Sequence, residues 1–312
     1  MSAMGMNISR DSGAGVLLGL AAGDQGSGAA YGHHGQLAMV VAYELLRHGS
    51  IEQVRIREAL ARLTGGRAGR SRVRGAPPWL DRYLQMERDR ALGTGSHGGT
   101  DVATRAVSIG VWHRNQPAEL VAEAVRASNA THSDRPSAVA AAVVAGTIAG
   151  IAHGQYGRDL VVGAWEVGHM AADRVGSDES FEGDASSLLD SLESSFSLVG
   201  GDPRATIEHL QPERESLMSV MAGIVIGAPL RQDPFSVIPE VAPLRRRDVD
   251  IVVSAMVGAK AGLVQWPSSV ANDTWFAEIG RRLADRRPFV DDLPDLFEVE
   301  DRLSHGPPGG LG

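Results

Sequence analysis

The chain has 312 residues, of which 43% are hydrophobic, 22% are charged and 38 are glycine, and it contains no cysteine. This apolar content is sufficient for a folded core and excludes an intrinsically disordered chain. The net charge of −8 argues against a protein that binds nucleic acid through charge. The lack of cysteine excludes disulfides, thiolate metal sites and cysteine nucleophiles.

Two features of the chain favour a cytoplasmic protein with no membrane partner. Residues 1–10 have no apolar stretch behind a basic start, which a secretory signal would require. The longest apolar run, residues 138–152, is shorter than the roughly 20 residues that a membrane span needs. We therefore expect this run to be a buried helix.

Helices are the expected elements because Ala, Gly and Leu abound where aromatic and β-branched residues are scarce. Residues 36–48 have apolar side chains at near-helical spacing and are followed by Gly49, a predicted C-cap. A second helix is predicted to begin with Ser133 or Asp134 as N-cap, with Pro136 in its first turn, and to continue to residue 152. The predicted fold class is all-α.

Glycines recur at intervals of four residues in three parts of the chain. The positions are Gly15, Gly19 and Gly23; Gly146 and Gly150; and Gly258 and Gly262. On a helix this spacing makes a smooth strip against which another backbone packs closely. Because each glycine costs a helix about 1 kcal/mol relative to Ala, the repeated use predicts close helix packing. A general Ala/Gly bias in composition is the alternative.

We predict a single compact helical domain over residues 13–300, with a flexible N-terminus at 1–12 and a disordered tail at 301–312. Residues 64–78 carry four arginines among Gly, Ser and Pro, which is typical of a mobile surface loop. Such a loop either closes over an anionic ligand or is simply solvated. Residues 178–202 are rich in Ser, Gly and acidic residues and are expected to form an insertion or linker.

Several segments, in order and spacing along the chain, resemble motifs of the ADP-ribosylglycohydrolase family. They are residues 15–24 (GVLLGLAAGD), 32–39 (GHHGQLAM), 98–105 (GGTDVATR) with 108–110 (SIG), 130–136 (ATHSDRP) and 248–251 (DVDI) followed by Gly258, Gly262 and Pro267. The family has an all-helical fold, and its enzymes remove ADP-ribose from modified proteins and small molecules. The resemblance implies the same single-domain fold and a small-molecule ribosyl or ADP-ribosyl substrate.

The expected metal site of the family is degenerate in this chain. Family members hold two divalent cations, Mg²⁺ or Mn²⁺, with a Thr-Asp-Asp triplet and an Asp-x-Asp-Thr group, because hard cations prefer oxygen ligands. Here Gly32, His33 and His34 stand at the triplet, and Ile251 replaces the last Thr. We expect no metal cofactor. If a metal binds, its expected ligands are His33 and His34 with Asp248 and Asp250, a set better suited to Zn²⁺.

Carboxylates alone are able to supply the negative charge and the base that cleavage of an N-glycosidic bond needs. The candidate catalytic residues are Asp24, Asp101, Asp248 and Asp250. The candidate ligand-binding residues are His33, His34, Gln36, His97, Gly98, Gly99, Arg105 and His132. The two adjacent histidines are expected to hydrogen-bond ribose hydroxyls or to offset phosphate charge, or else to lie in a surface turn. His132 precedes a predicted helix N-terminus, where amide groups favour an anion.

Three functions are compatible with these residues. The first is a divergent hydrolase that removes a ribosyl or ADP-ribosyl group from a small metabolite or nucleotide-like substrate, with little or no metal. The second is a non-catalytic protein that binds an ADP-ribose-like ligand or a protein partner. The third is a metal-dependent hydrolase of ADP-ribosylated protein. The joint presence of Asp248 and Asp250 favours the first.

Overall fold

The structure is a computed structural model that describes residues 3–26, 28, 30–65, 71–75, 80, 99–213, 216–230, 232–263, 270–287 and 294–305. These residues form helices, turns and one isolated bridge between Asp134 and Glu182. The α-helices are α1 (Ala3–Gln25), α2 (His33–His48), α3 (Gln53–Thr64), α4 (Thr100–Thr104), α5 (Val107–Trp112), α6 (Pro117–Asn129), α7 (Arg135–Ala152), α8 (Gly157–Gly176), α9 (Ser186–Ser194), α10 (Pro203–Leu210), α11 (Leu217–Gly227), α12 (Ile238–Val241), α13 (Arg247–Ala261), α14 (Asp273–Asp285) and α15 (Leu296–His305). Short 3-10 helices lie at Ser195–Leu198, Pro234–Val237 and Ala242–Leu244. The all-α prediction is confirmed.

Helix α7 is the centre of the core and contacts helices α4, α5, α6, α8, α11 and α13. Of the two N-caps predicted for it, Ser133 or Asp134, the structure has Asp134: its carboxylate accepts hydrogen bonds from the Ser137 backbone N–H at 2.8 Å and from the Ser137 hydroxyl at 2.7 Å. By length and composition α7 is apolar enough to cross a membrane, but 83% of it is buried inside the protein. It is therefore a core helix, as its sequence predicted.

Helix α1 lies backbone to backbone against α13, and glycines make this possible. A Cβ added at Gly15 would overlap the carbonyl oxygen of Gly258 and lie 2.6 Å from that of Gly262. A Cβ added at Gly23 would lie 2.8 Å from the Cα of Ile251. The first and last glycine series of the sequence thus face each other across one helix pair, which confirms the prediction of close packing there.

The central glycines pack against side chains rather than backbone. A Cβ at Gly146 would lie 2.9 Å from the Cβ of Val167 on α8, and one at Gly150 would lie 2.7 Å from Leu160. Gly49 ends α2 with φ of 73°, as a left-handed C-cap. Helix α2 begins at His33, three residues before its predicted start, so both histidines of the 33–34 pair lie in its first turn.

The ends of the domain differ from the prediction. Helix α1 begins at Ala3 rather than after residue 12, and Arg10 pairs with Asp285 of α14 at 2.9 Å. Helix α15 continues to His305, so residues 301–305 of the predicted tail are helical. Arg10 ties α1 to α14, and α15 packs against α2 and α3, so tertiary contacts stabilise helix in parts of both end segments. Residues 306–312 lie outside the described part of the chain.

The acidic segment 178–202 is packed onto the domain. Phe181 and Leu189 are buried, and Leu189 contacts Gly168 of α8 closely. The backbone of Glu182 accepts from the Arg135 N–H at 2.9 Å and donates to the Ser133 carbonyl at 2.8 Å. This segment therefore covers the start of α7 and is not a free linker.

The arginine-rich segment 64–78 is only partly described, over residues 64–65 and 71–75. Within it, Arg72 pairs with both carboxylate oxygens of Asp301 at 2.7 and 2.8 Å. Arg74 pairs with the fully buried Glu300 at 2.7 Å. The prediction of a mobile, solvated loop is wrong for residues 71–75, since these arginines have buried or half-buried partners on the last helix.

The close approach of α1 and α13 gives a test of the fold. Gly15→Ala places a methyl group onto the Gly258 carbonyl, so we expect the free energy of unfolding to fall by about 3 kcal/mol or more. Gly176→Ala is the matched control, because Gly176 is exposed at the end of α8 and an added Cβ meets no atom within 4 Å. Urea denaturation of both variants measures the difference. Equal stability of the two variants would contradict the packing described.

Candidate functional site

Four chain segments meet where the site residues were predicted: the end of α1, the start of α2, helix α4 and the first turn of α13. The charges that act on His34 show this meeting, because they come from His33, Asp101 on α4 and Arg247 on α13. The backbone at Gly23, one residue before Asp24, is in close contact with α13. The glycine-packed pair of α1 and α13 therefore fixes one side of the site.

Asp24 is fully buried in the last turn of α1, with 0% of its surface exposed. One carboxylate oxygen accepts from the Gly35 backbone N–H at 2.8 Å, and the other accepts from Arg247 Nη2 at 3.1 Å. Arg247 also donates to the Asp24 carbonyl. Burial raises the pKa of Asp24, while the Gly35 N–H, His33 and Arg247 oppose the rise. Both oxygens are used inside the protein, so these contacts favour a structural role, holding the first turn of α2 against α13.

His33 and His34 lie side by side in the first turn of α2, with ring centroids 4.3 Å apart. His34 is buried, and its Nδ1 lies 3.0 Å from the Thr104 hydroxyl. Burial, together with the charges of His33 and Arg247, lowers the pKa of His34 to about 3, while the Asp101 carboxylate opposes this decrease. His34 is therefore neutral near pH 7 and has no positive charge to offset a phosphate. His33 is half-buried and is the more accessible ring.

Asp248 and Asp250 lie in the first turn of α13, and Asp248 is buried while Asp250 is half-buried. Burial and the neighbouring Asp248 carboxylate raise the pKa of Asp250 to about 6. Its Oδ1 atom is buried and has no hydrogen-bond partner among the described residues. A carboxylate with a pKa near the working pH and a free oxygen is a strong candidate for proton transfer.

Arg247 is a site residue that the sequence analysis missed. It stands directly before the DVDI motif, in a run of three arginines that is typical of a solvated surface. Its side chain is 63% exposed, and only Nη2 bonds to described residues, namely to Asp24. One edge of the guanidinium is thus fixed on a buried carboxylate while the remainder faces solvent.

Arg105 and His132 are both buried and lie on either side of the Thr131 hydroxyl, at 2.6 Å and 2.7 Å. Burial, with Arg105 adding to it, lowers the pKa of His132 to about 3, so this imidazole is also neutral near pH 7. The adjacent helix N-terminus is already capped by the carboxylate of Asp134. The predicted anion site at the start of α7 is therefore filled by the chain itself, and Arg105 and His132 belong to a buried structural network.

Gln36 does not have a free amide for a ligand. Its Nε2 donates to the Arg72 carbonyl at 2.8 Å and to Glu300 at 2.6 Å, and its Oε1 accepts from the Arg74 N–H at 2.9 Å. The predicted ligand contacts at His97 and Gly98 lie outside the described residues. Gly99 is described, and it immediately precedes α4 with Asp101 in the first turn of that helix.

The donor set does not fit a pair of hard divalent cations. Both oxygens of Asp24 are engaged, His34 uses Nδ1 on Thr104, and Ile251 has no ligand atom. Across the described residues no group of three His, Asp or Glu side chains is placed to hold a metal ion. The Zn²⁺ site considered for His33, His34, Asp248 and Asp250 is therefore not formed by the side chains as they lie.

The structure is similar to a solved chain described as "ADP-ribosylglycohydrolase-related protein complex", with a TM-score of 0.61 and 18% sequence identity. The match covers 90% of this chain and 99% of that chain. No protein-family model and no curated protein sequence matches the chain. The similarity shows that the fold expected from the sequence motifs is present over nearly the whole domain.

The raised pKa of Asp250 predicts a pH-dependent stability. Between about pH 4 and 6 the native carboxyl holds a proton that the unfolded chain has released, so stability falls as pH rises through this window. Asp250→Asn removes the ionisable group. We expect this variant to be more stable than the parent by about 1 kcal/mol at pH 7.5, a value reduced for partial solvent screening, and equally stable at pH 4.

Urea denaturation at the two pH values, with a chelator present, measures this effect. Asp190→Asn, on the exposed face of α9, is the control and should show no gain that grows with pH. A gain for Asp250→Asn that is the same at pH 4 and pH 7.5 would show that the carboxyl of Asp250 is not perturbed by its surroundings.

Proposed function

We propose that this protein is a hydrolase that cleaves an N-glycosidic bond between a ribosyl or ADP-ribosyl group and a small metabolite or nucleotide-like leaving group. The single observation that carries the proposal is Asp250, whose carboxylate has a pKa of about 6 and a buried, unpartnered oxygen. The fold supports it as well, because it is the fold of an ADP-ribosylglycohydrolase-related protein. Fold alone does not define chemistry, and the proposed reaction therefore depends on the residues of the site.

In the proposed reaction, a water molecule attacks C1 of the ribose as the bond from C1 to nitrogen breaks. Asp250 accepts the proton from the attacking water. The electron pair of the broken bond goes to the leaving nitrogen, which takes up a proton from solvent, and Asp250 then releases its own proton to solvent. Because a general base is most effective when its pKa lies near the working pH, the raised value suits this role better than that of an ordinary carboxylate.

The transition state of such a cleavage carries positive charge on the sugar ring. Asp248, whose charge raises the pKa of Asp250, and Asp101, whose charge acts on the pKa of His34, are the proposed sources of negative charge. Fixed charges in a site with little water stabilise such a state strongly. Asp24 is a positioning residue in this reaction, because its hydrogen bonds to Gly35 and Arg247 hold the first turn of α2 against α13.

Arg247 is the proposed contact for the phosphate groups of the substrate. Its guanidinium is anchored on Asp24 through Nη2 while most of the side chain is exposed, so a bound anion would reach its remaining donors. His33, the more accessible ring, is the proposed hydrogen-bond partner for ribose hydroxyls, with the neutral ring of His34 beside it. The proposal includes no nucleic acid and no membrane partner, and we place the activity in the cytoplasm.

We propose that the activity depends little or not at all on metal, because the donor set does not fit the two cations of the family. The non-catalytic alternative is supported by the same loss of ligands and by the structural role of Asp24. A metal-dependent hydrolase of ADP-ribosylated protein would need ligands that His34 and Ile251 do not provide.

The activity test uses ADP-ribosyl-arginine, NAD-derived nucleotides and ribosylated metabolites, each with EDTA or with added Mg²⁺ or Mn²⁺. We expect turnover of at least one compound, insensitive to EDTA, with kcat rising as pH increases through about 6 because Asp250 must be ionised. Asp250→Asn should lower kcat by roughly 10²- to 10⁴-fold, the usual contribution of a general base.

Each alternative has its own outcome in this assay. Binding of ADP-ribose without turnover of any compound would contradict the hydrolase proposal and support the non-catalytic function. Loss of turnover in EDTA, restored by Mn²⁺, would contradict the metal-free proposal. Full activity of Asp250→Asn would show that another group is the base.

Arg247→Gln is expected to raise KM for a phosphate-bearing substrate about tenfold, a loss of roughly 1.4 kcal/mol that is typical of one charged hydrogen bond. Arg246→Gln is the matched control, because Arg246 is the adjacent exposed arginine and precedes α13. Steady-state kinetics with phosphorylated and dephosphorylated substrates measure the difference. An equal rise in KM for both substrates would refute a phosphate contact.

A further inference from the structure

Glu300, on the last helix α15, is a fully buried carboxylate far from the candidate site in sequence. It accepts hydrogen bonds from three parts of the chain: the Tyr31 hydroxyl at 2.7 Å, Gln36 Nε2 at 2.6 Å and Arg74 Nη1 at 2.7 Å. Its exposed fraction is 0%. Burying a carboxylate costs desolvation free energy, which hydrogen bonds and a paired charge must offset. The three partners of Glu300 supply both.

Arg74 brings the same partners together from the other side. Its Nε donates to the Tyr31 carbonyl at 2.7 Å, its backbone N–H donates to Gln36 Oε1 at 2.9 Å, and its guanidinium lies 4.5 Å from the centre of the Tyr31 ring. Burial, together with Glu300, raises the pKa of Tyr31 well above its usual value, so its hydroxyl stays protonated and donates. Glu300 and Arg74 therefore clamp one short stretch of chain.

That stretch is residues 31–36, which carries the two adjacent histidines. Tyr31 lies two residues before His33, and Gln36 lies two residues after His34. Gly75, next to Arg74, also approaches the His33 ring, since a Cβ added there would lie 3.8 Å from Nδ1. The clamp thus acts at both ends of the segment that places the histidines beside Asp24.

We propose that Glu300 is a positioning residue of the candidate site, which fixes the orientation of His33 and His34 through its hydrogen bonds to Tyr31 and Gln36. It does not touch the ligand. The kinetic consequence rests on the proposed hydrolase function, but the orientation of the two rings does not.

The neighbouring Asp301 provides a control, because it attaches the last helix to the domain and is not expected to position the histidines. Asp301 pairs with Arg72 through both oxygens and is half-buried, so it also ties α15 to residues 71–75. The Asp301 carboxylate bonds the Arg72 side chain, whereas the Glu300 carboxylate bonds Tyr31 and Gln36 themselves. Asp301→Asn therefore weakens the attachment of α15 without loosening the histidine segment directly.

The test compares Glu300→Gln, Tyr31→Phe and Asp301→Asn in the full chain. Gln keeps the shape of Glu but loses the charge that pairs with Arg74, and Phe removes one hydrogen bond while keeping the ring. We expect the ring ¹⁵N and ¹³C signals of His33 and His34 to shift in the first two variants. The signals of His132 and His153 should stay unchanged in all three, as should those of His33 and His34 in Asp301→Asn.

If the parent protein turns over a substrate, kcat/KM should fall about tenfold in Glu300→Gln and about threefold in Tyr31→Phe, since small displacements in a site reduce rates by such factors. Asp301→Asn should stay within about twofold of the parent. Absence of turnover in the parent would contradict the proposed function, and the ring signals of His33 and His34 would then decide whether Glu300 positions them.

Unchanged His33 and His34 signals in folded Glu300→Gln would overturn the positioning role of Glu300. If Glu300→Gln does not fold, unchanged signals in Tyr31→Phe would overturn it.

Discussion

The contact between α1 and α13 is the constraint on which the site depends. Two helix backbones approach so closely at Gly15 and Gly23 that even a methyl group would overlap the facing chain. The contact brings Asp24, at the end of one helix, to Arg247, at the start of the other. Glycine weakens each helix alone, and the packing it allows offsets that cost. The same contact holds the first turn of α13 against the end of α1, since a Cβ added at Gly23 would lie 3.0 Å from the Asp250 carbonyl oxygen.

Burial then determines which groups carry charge. His34, at the start of α2, and His132, near the start of α7, are neutral because their pKa values are lowered to about 3, whereas the pKa of Asp250 is raised to about 6. Arg247 is the one exposed cation of the cluster among the residues described, and it is held on Asp24. These groups, a carboxylate with a raised pKa and an exposed cation, are the basis of the proposed glycosidic cleavage without metal.

Sequence reasoning predicted the features that local chemistry determines. Asp134 as N-cap and Gly49 as C-cap follow from rules that involve only a few neighbouring residues. It did not find Glu300, because its partner Tyr31 lies 269 positions away in sequence and one acid among the several of residues 295–301 gives no sign that it is buried. Arg247 was missed for a similar reason. In a run of three arginines, the sequence does not show which one will pair with a buried carboxylate, here Asp24.

We propose that a ribosyl ligand binds to His33 and Asp250 without a metal. A crystal structure of the protein soaked with ADP-ribose and Mn²⁺, with anomalous data collected at the manganese edge, is the sharpest test of this binding mode. We expect ribose density within hydrogen-bond distance of His33 and Asp250, a phosphate group on Arg247, and no anomalous peak in the site. A manganese peak coordinated by Asp248 and Asp250, or ADP-ribose bound elsewhere on the protein, would contradict it.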